Sequence, residues 1–197
     1  AGGVSYRRKR PTLIGMGFSL GYDPFALYDD PVAYQAFLND MEKALIAGKP
    51  SVKMYWDNGD QLLQSLLTEE VWAASAWEQA GWKLHAENPN IDYFAPTSGA
   101  LAWVDTFAIP AKSENLDAAY AYINFMLRPE NAAFFTNRET YGTASKDAVK
   151  YLDEEIKANF TRGLPPEVLA NINWYPTVPA GIEEMEGKTL DKIQAAR

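Results

Sequence analysis

The sequence predicts an α/β fold of short strands layered against helices, and three observations carry that expectation. Compact runs rich in β-branched and aromatic residues alternate along the chain with apolar stripes of helical period, an order typical of layered α/β domains. Proline and glycine fall where helices would open and close. The 197 residues, 47% of them hydrophobic, suffice for one good-sized core or two small ones.

Val4 to Arg8 reads as a strand, and Thr12 to Leu20 as a helix stopped by Gly21. Asp30-Pro31 opens a second helix. Tyr34, Phe37, Leu38, Met41 and Leu45 follow at helical spacing until Gly48-Lys-Pro50 ends it. Val52 to Trp56 is a compact strand. The turn Asp57-Asn-Gly-Asp60 then caps a helix bearing Leu62, Leu63, Leu66 and Leu67. Val71 to Ser75 reads as a strand, Glu78 to Glu87 as a helix, and Ile91 to Ala95 and Thr106 to Ile109 as further strands. Asn115 opens a helix whose Ala119, Tyr122, Ile123, Met126 and Leu127 form an apolar stripe ending at Arg128-Pro129. From Ser145 onward the chain reads as helical and acidic. Gly163-Leu-Pro-Pro166 and Trp174-Tyr-Pro176 interrupt it, and Ile182, Met185, Leu190 and Ile193 share one face at its end.

The formal net charge of −8 argues against nucleic acid as a partner, because duplex binding draws its affinity from a basic surface. There is no cysteine, hence neither a disulfide nor a thiolate nucleophile or metal ligand. No apolar run approaches the roughly 18 residues needed to cross a bilayer, so no membrane insertion is expected. Arg7-Arg-Lys-Arg10 and the apolar residues after it imitate a secretory signal, but no small-residue cleavage site follows. The expectation is a processed terminus, with any targeting segment outside the chain.

Catalytic, metal and cofactor signatures are weak. His85, the only histidine, is expected on a helix surface, since local spacing supplies no partners for a triad or a metal. Gly15, Gly17 and Gly21 lack the dinucleotide spacing, and no cofactor is expected. The pairs Asp57/Asp60 and Glu69/Glu70 read as caps and solvated charge. A carboxylate-based hydrolase stays as the lesser alternative, and no catalytic residue is assigned.

Aromatic residues are more informative. Trp56, Trp72 and Trp103 fall at or near strand ends, where open α/β sheets hold their ligand crevices, while Tyr141 and Tyr175 lie in irregular segments after helices. Trp77 and Trp82 read as core. Within Gly99 to Pro110, Trp103 and Asp105 are two residues apart, and on a strand they would project together. An indole face and a carboxylate suit an ammonium ligand.

These residues resemble the periplasmic polyamine-binding proteins that deliver putrescine or spermidine to ABC transporters. The resemblance rests on Trp103-Val-Asp105-Thr-Phe-Ala-Ile-Pro110, on Ile123-Asn-Phe-Met-Leu-Arg-Pro129 and on Glu139-Thr-Tyr141-Gly-Thr, and upstream on Asp57-Asn-Gly-Asp60 through Glu70-Val-Trp72-Ala. It implies a three-layer αβα lobe of a type II periplasmic solute-binding protein that binds without catalysing. It also implies Trp72, Trp103, Asp105, Tyr141 and Tyr175 as ligand contacts, a transporter permease as partner and an extracytoplasmic location for the parent protein. Residues 1–97 and 144–197 would form the second lobe, and 98–143 a crossover that returns to the first. The resemblance is incomplete around Lys9 and Thr12, where the family carries an acidic pair and this chain reads Arg8-Lys9-Arg10-Pro-Thr12. A different ligand, with an anionic group meeting Arg8 and Lys9, is therefore an alternative. Without a first lobe the 119–127 stripe would need another surface, and a homodimer or a self-associating fragment without ligand function is a further expectation.

Overall fold

The computed structural model describes residues 3–196. Three parallel strands, β1 (Val4–Arg7), β2 (Val52–Trp56) and β3 (Ala73–Ala74), form a sheet in the order β2-β1-β3. Side chains alternate across it as the pleat requires. Tyr6 and Tyr55, paired in register, face a core built by α1 (Arg10–Ser19), α2 (Pro31–Gly48) and α9 (Ile182–Ala195). Arg7 and Trp56, one position on, face the other way, toward α3 (Gly59–Leu67) and α4 (Glu78–Glu87). The result is a sheet between two helical layers, an α/β lobe.

The helix boundaries follow the punctuation. Asp30 caps α2, its side chain accepting from the amides of Val32 and Ala33 at 3.0 Å each, and Pro31 occupies the first turn. All five stripe residues of α2 are buried. Ile182 and Ile193 of α9 close over them. Lys49 Nζ donates to the carbonyls of Ile193, Gln194 and Ala196, tying the last turn of α9 to the end of α2.

Two expected strands are absent. Ile91 to Ala95 is irregular, and side chains hold the segment. Tyr93 packs against Gly81 so closely that a Cβ there would lie 2.6 Å from the ring's own Cβ, and Arg162 of α7 (Glu154–Gly163) grips Asp92 with two hydrogen bonds of 2.7 and 3.0 Å. Thr106 to Ile109 is likewise irregular and largely exposed. A second, two-stranded parallel ladder joins β4 (Leu101–Ala102) to β5 (Asn173–Trp174). It begins just after Gly99, whose φ of +105° and approach to the Asn171 carbonyl leave no room for a Cβ.

The expected helix after Asn115 forms as α5 (Leu116–Leu127), yet none of its residues is buried. Beyond Pro129 a further helix, α6 (Pro129–Glu139), packs Ala132 and Ala133 on Ala148. The short α8 (Pro166–Leu169) follows the Gly163–Pro166 break and leads into β5. Trp82 is core, as expected, wedged between Tyr93 and Phe160. Trp77 is not core: it is half-buried at the sheet's carboxyl edge. His85 is half-buried rather than on the surface, and its Nδ1 lies 2.8 Å from the Ile91 carbonyl, to which it donates, pinning the turn after α4.

Candidate functional site

The carboxyl ends of parallel strands gather loops into a crevice, and here β1 ends in four consecutive basic residues. Arg7, the last residue of β1, lays its guanidinium 4.5 Å from the ring centre of Trp77 and 5.3 Å from that of Trp56. The two indoles meet edge to face at 5.0 Å. Trp56 reaches across the end of β1 and donates from Nε1 to the Ser75 carbonyl at 3.1 Å, so its ring is fixed from both neighbouring strands. Burial pulls the pKa of Arg7 below its ordinary value, with the nearby Tyr175, Asp57 and Tyr141 opposing. This platform opens into a cleft of about 600 Å³ whose walls include Arg7 to Arg10, Trp103, Tyr175 and Glu186.

Trp103 and Tyr175 come together, ring centres 6.4 Å apart, because β4 and β5 are hydrogen-bonded neighbours: Tyr175 N–H donates to the Ala102 carbonyl. Trp103 stands just beyond the end of β4. Asp105 lies in irregular chain, so the side-by-side projection expected of a strand does not hold for the pair. Tyr175 is wedged against Phe25, and burial pushes its phenol well above the ordinary range. Tyr141 donates to Gln79 Oε1 at 3.0 Å. Its phenol is raised, first by burial and then by the carboxylates of Glu78, Asp105 and Glu139, while Arg7 pulls it back.

Trp72 is not brought to this group. It precedes β3 and its ring covers Gly3, which precedes β1, at the amino end of the parallel sheet; the indole is 80% exposed there. In a parallel sheet the crevice is at the opposite end, and the indole standing there is Trp77, five residues on. The sequence signal that could have found it is Arg7 at the end of β1: a cation in a half-buried position needs an aromatic or anionic neighbour.

The cleft's carboxylates are committed. Arg8 pairs with Asp57 at 3.2 Å, and Arg10 binds Glu183 at 3.3 Å and Glu186 at 2.7 Å. Glu186 is only 3% exposed and also accepts from the Tyr34 hydroxyl at 2.7 Å. Burial lifts its carboxyl above the usual range, against the pull of Tyr34 and Arg10. Among the described residues no cluster of histidine, aspartate and glutamate could hold a metal ion, and no helix is long and apolar enough to cross a membrane.

With this geometry in view, residues 5–162 match the model of a family described as bacterial extracellular solute-binding protein. The chain belongs to that family. It is 25% identical over 184 residues to the putrescine-binding periplasmic protein PotF of Escherichia coli strain K12, across 90% of this chain and 48% of the relative. To the spermidine/putrescine-binding periplasmic protein of the same strain it is 28% identical over 168 residues, 85% of this chain and 46% of that one. Among solved structures, a protein described as a spermidine/putrescine ABC transporter from Listeria monocytogenes superposes with a TM-score of 0.80 at 25% identity, covering 99% of this chain and 58% of its own. The chain spans about half the length of the curated relatives it matches.

Proposed function

We propose that the chain is a lobe of an extracytoplasmic solute-binding protein that captures a small amine of the polyamine class, or a related cationic amine, and presents it to an ABC transporter without transforming it. The observation that carries this reading is the crevice at the sheet's carboxyl end, on whose wall the rings of Trp103 and Tyr175 come within 6.4 Å of each other. Aromatic faces attract an ammonium by about 0.5–2 kcal/mol, and a carboxylate adds a charge-assisted hydrogen bond. Trp77 takes the place that the resemblance assigned to Trp72. Binding is favoured over carboxylate-based hydrolysis because Asp57, Glu183 and Glu186 are each tied to an arginine and the cleft is open to water.

Residues 1–97 and 144–197 make the lobe, and 98–143 is the crossover to a first lobe. The bare α5 supports this, since a helix rich in exposed aromatic side chains belongs against another surface. In the isolated chain the same face supports self-association. Light scattering at rising concentration is expected to show dimers; a strict monomer at millimolar concentration sinks that part of the reading.

The test of the main reading is calorimetric titration of this chain with spermidine and putrescine. Saturable binding weaker than about 1 µM is expected, because a single-walled cleft leaves much of the ligand in water. Trp103→Ala should weaken it about tenfold. Absence of binding by every amine rejects the proposal.

A further inference from the structure

The charges around the cleft do not balance. Asp57 is taken by Arg8, and Glu183 and Glu186 by Arg10. Arg7 is left over. Among the described residues it makes no ion pair and no side-chain hydrogen bond, and its Nε is buried without an acceptor. Leaving such a donor unmatched is costly, on the order of 1–3 kcal/mol and more for a charged group. The indoles of Trp56 and Trp77 lie beside the guanidinium, and no acceptor among the described residues takes its N–H groups. A planar fork of that kind matches a carboxylate with two parallel hydrogen bonds. Lys9, exposed on the same wall and without an ion pair among the described residues, adds a second positive charge.

Two carboxylates stand outside the ion pairs. Glu78, half-buried at the start of α4, has its carboxyl raised by burial, and no cation offsets it. Neither Glu78 nor Asp105 has an ion-pair partner among the described residues. The chain thus holds an uncommitted cation on the cleft wall and, apart from it, carboxylates that no cation takes.

Resting on the amine-binding reading above, we propose that the solute is an amine that also carries a carboxylate, an ω-amino acid, with Arg7 receiving the carboxylate and Asp105, the acidic contact of that reading, receiving the ammonium. A bare diamine is the poorer occupant, because its second ammonium would be desolvated beside Arg7, and like charges set face to face oppose binding. Arg7 is in this sense the specificity-determining residue, and Trp103 and Tyr175 serve the methylene chain common to both classes.

The experiment uses three probes of matched length, 4-aminobutyrate, putrescine and succinate, titrated into this chain by calorimetry with spermidine as a fourth. The expected order is 4-aminobutyrate at least about tenfold tighter than putrescine, with succinate weaker than 4-aminobutyrate. Arg7→Gln is expected to erase or invert the preference over putrescine, while Arg7→Lys retains part of it. Trp103→Ala should weaken 4-aminobutyrate and putrescine alike. Putrescine binding as tightly as 4-aminobutyrate overturns the carboxylate half of the proposal and leaves amine binding standing. Succinate as the tightest probe overturns the ammonium half. A folded Arg7→Gln chain with an unchanged preference removes Arg7 from the role, and silence from all four probes rejects the solute-binding reading together with this one.

Discussion

Two helices of this chain carry nearly the same apolar message and meet opposite fates. In α2 the stripe of Tyr34, Phe37, Leu38, Met41 and Leu45 is buried to the last residue, whereas in α5 no stripe residue is: Tyr122 is 57% and Leu127 48% exposed, and Ala119, Ile123 and Met126 are half-buried. Period and composition do not separate them. What separates them is whether the chain itself supplies a lid: α9 returns from far along the sequence to cover α2, and no described element returns to cover α5. An amphipathic pattern states that a helix has a partner and is silent about which molecule holds it.

The contrast can be broken most directly by paired truncations. Phe37→Ala is expected to cost about 3–5 kcal/mol in urea denaturation, since the ring is buried and packs over Gly17. Tyr122→Ala, on the α5 stripe, should cost less than about 1 kcal/mol in a dilute, monomeric sample. Equal costs would mean that α5 is packed in solution and the contrast is false. The lid is probed through its polar anchor. Glu186→Ala strands the buried Tyr34 hydroxyl, leaves Arg10 with Glu183 alone and should cost about 3–5 kcal/mol, with Tm falling accordingly. A loss below 1 kcal/mol would show that α9 is held by its apolar contacts alone.

The smallest effect concerns Ile91 to Ala95, a segment between the two extremes, fastened by one ion pair. Asp92 is held below its ordinary value, first by the hydrogen bond from Arg162, and its side chain is about a third exposed. Stability from this pair is present above the unfolded value of about 3.9 and is lost as pH falls through the lowered folded value. Solvent screening limits it to less than about 1 kcal/mol. Asp92→Asn should therefore be slightly less stable at pH 7, with the difference closing in acid. A difference that grows in acid would contradict the sign.

Much of the lobe was legible in the sequence, because helix ends are written in local chemistry. Asp30-Pro31 opened a helix where the cap predicts, and β1 and β2 formed where short apolar runs sit between turns. Strand pairing was less legible, because it depends on neighbours. Ile91 to Ala95 and Thr106 to Ile109 have the alternation of strands and lack an edge to join. The site was legible in part. Trp103 and Tyr175 meet on the cleft wall, whereas Trp72 lies at the amino end of the sheet, since a residue just before a strand and one just after it look alike in a string of letters. Arg7 was hidden for the opposite reason: it lay in a basic run that composition treats as solvated, and only the fold shows two indoles beneath it.

The closure of α9 over α2 also has a temporal side. Tyr34 meets Glu186 across 152 residues of sequence, so during synthesis α2 leaves the ribosome long before its cover exists. At translation rates of about 5–20 residues per second, the stripe stays uncovered for on the order of ten seconds. For that interval Tyr34, Phe37 and Leu38 are as naked as α5 is in the finished chain. The cleft wall that α9 provides is among the last parts of the lobe to exist, which makes the nascent chain, more than the mature fold, the form in need of a holdase.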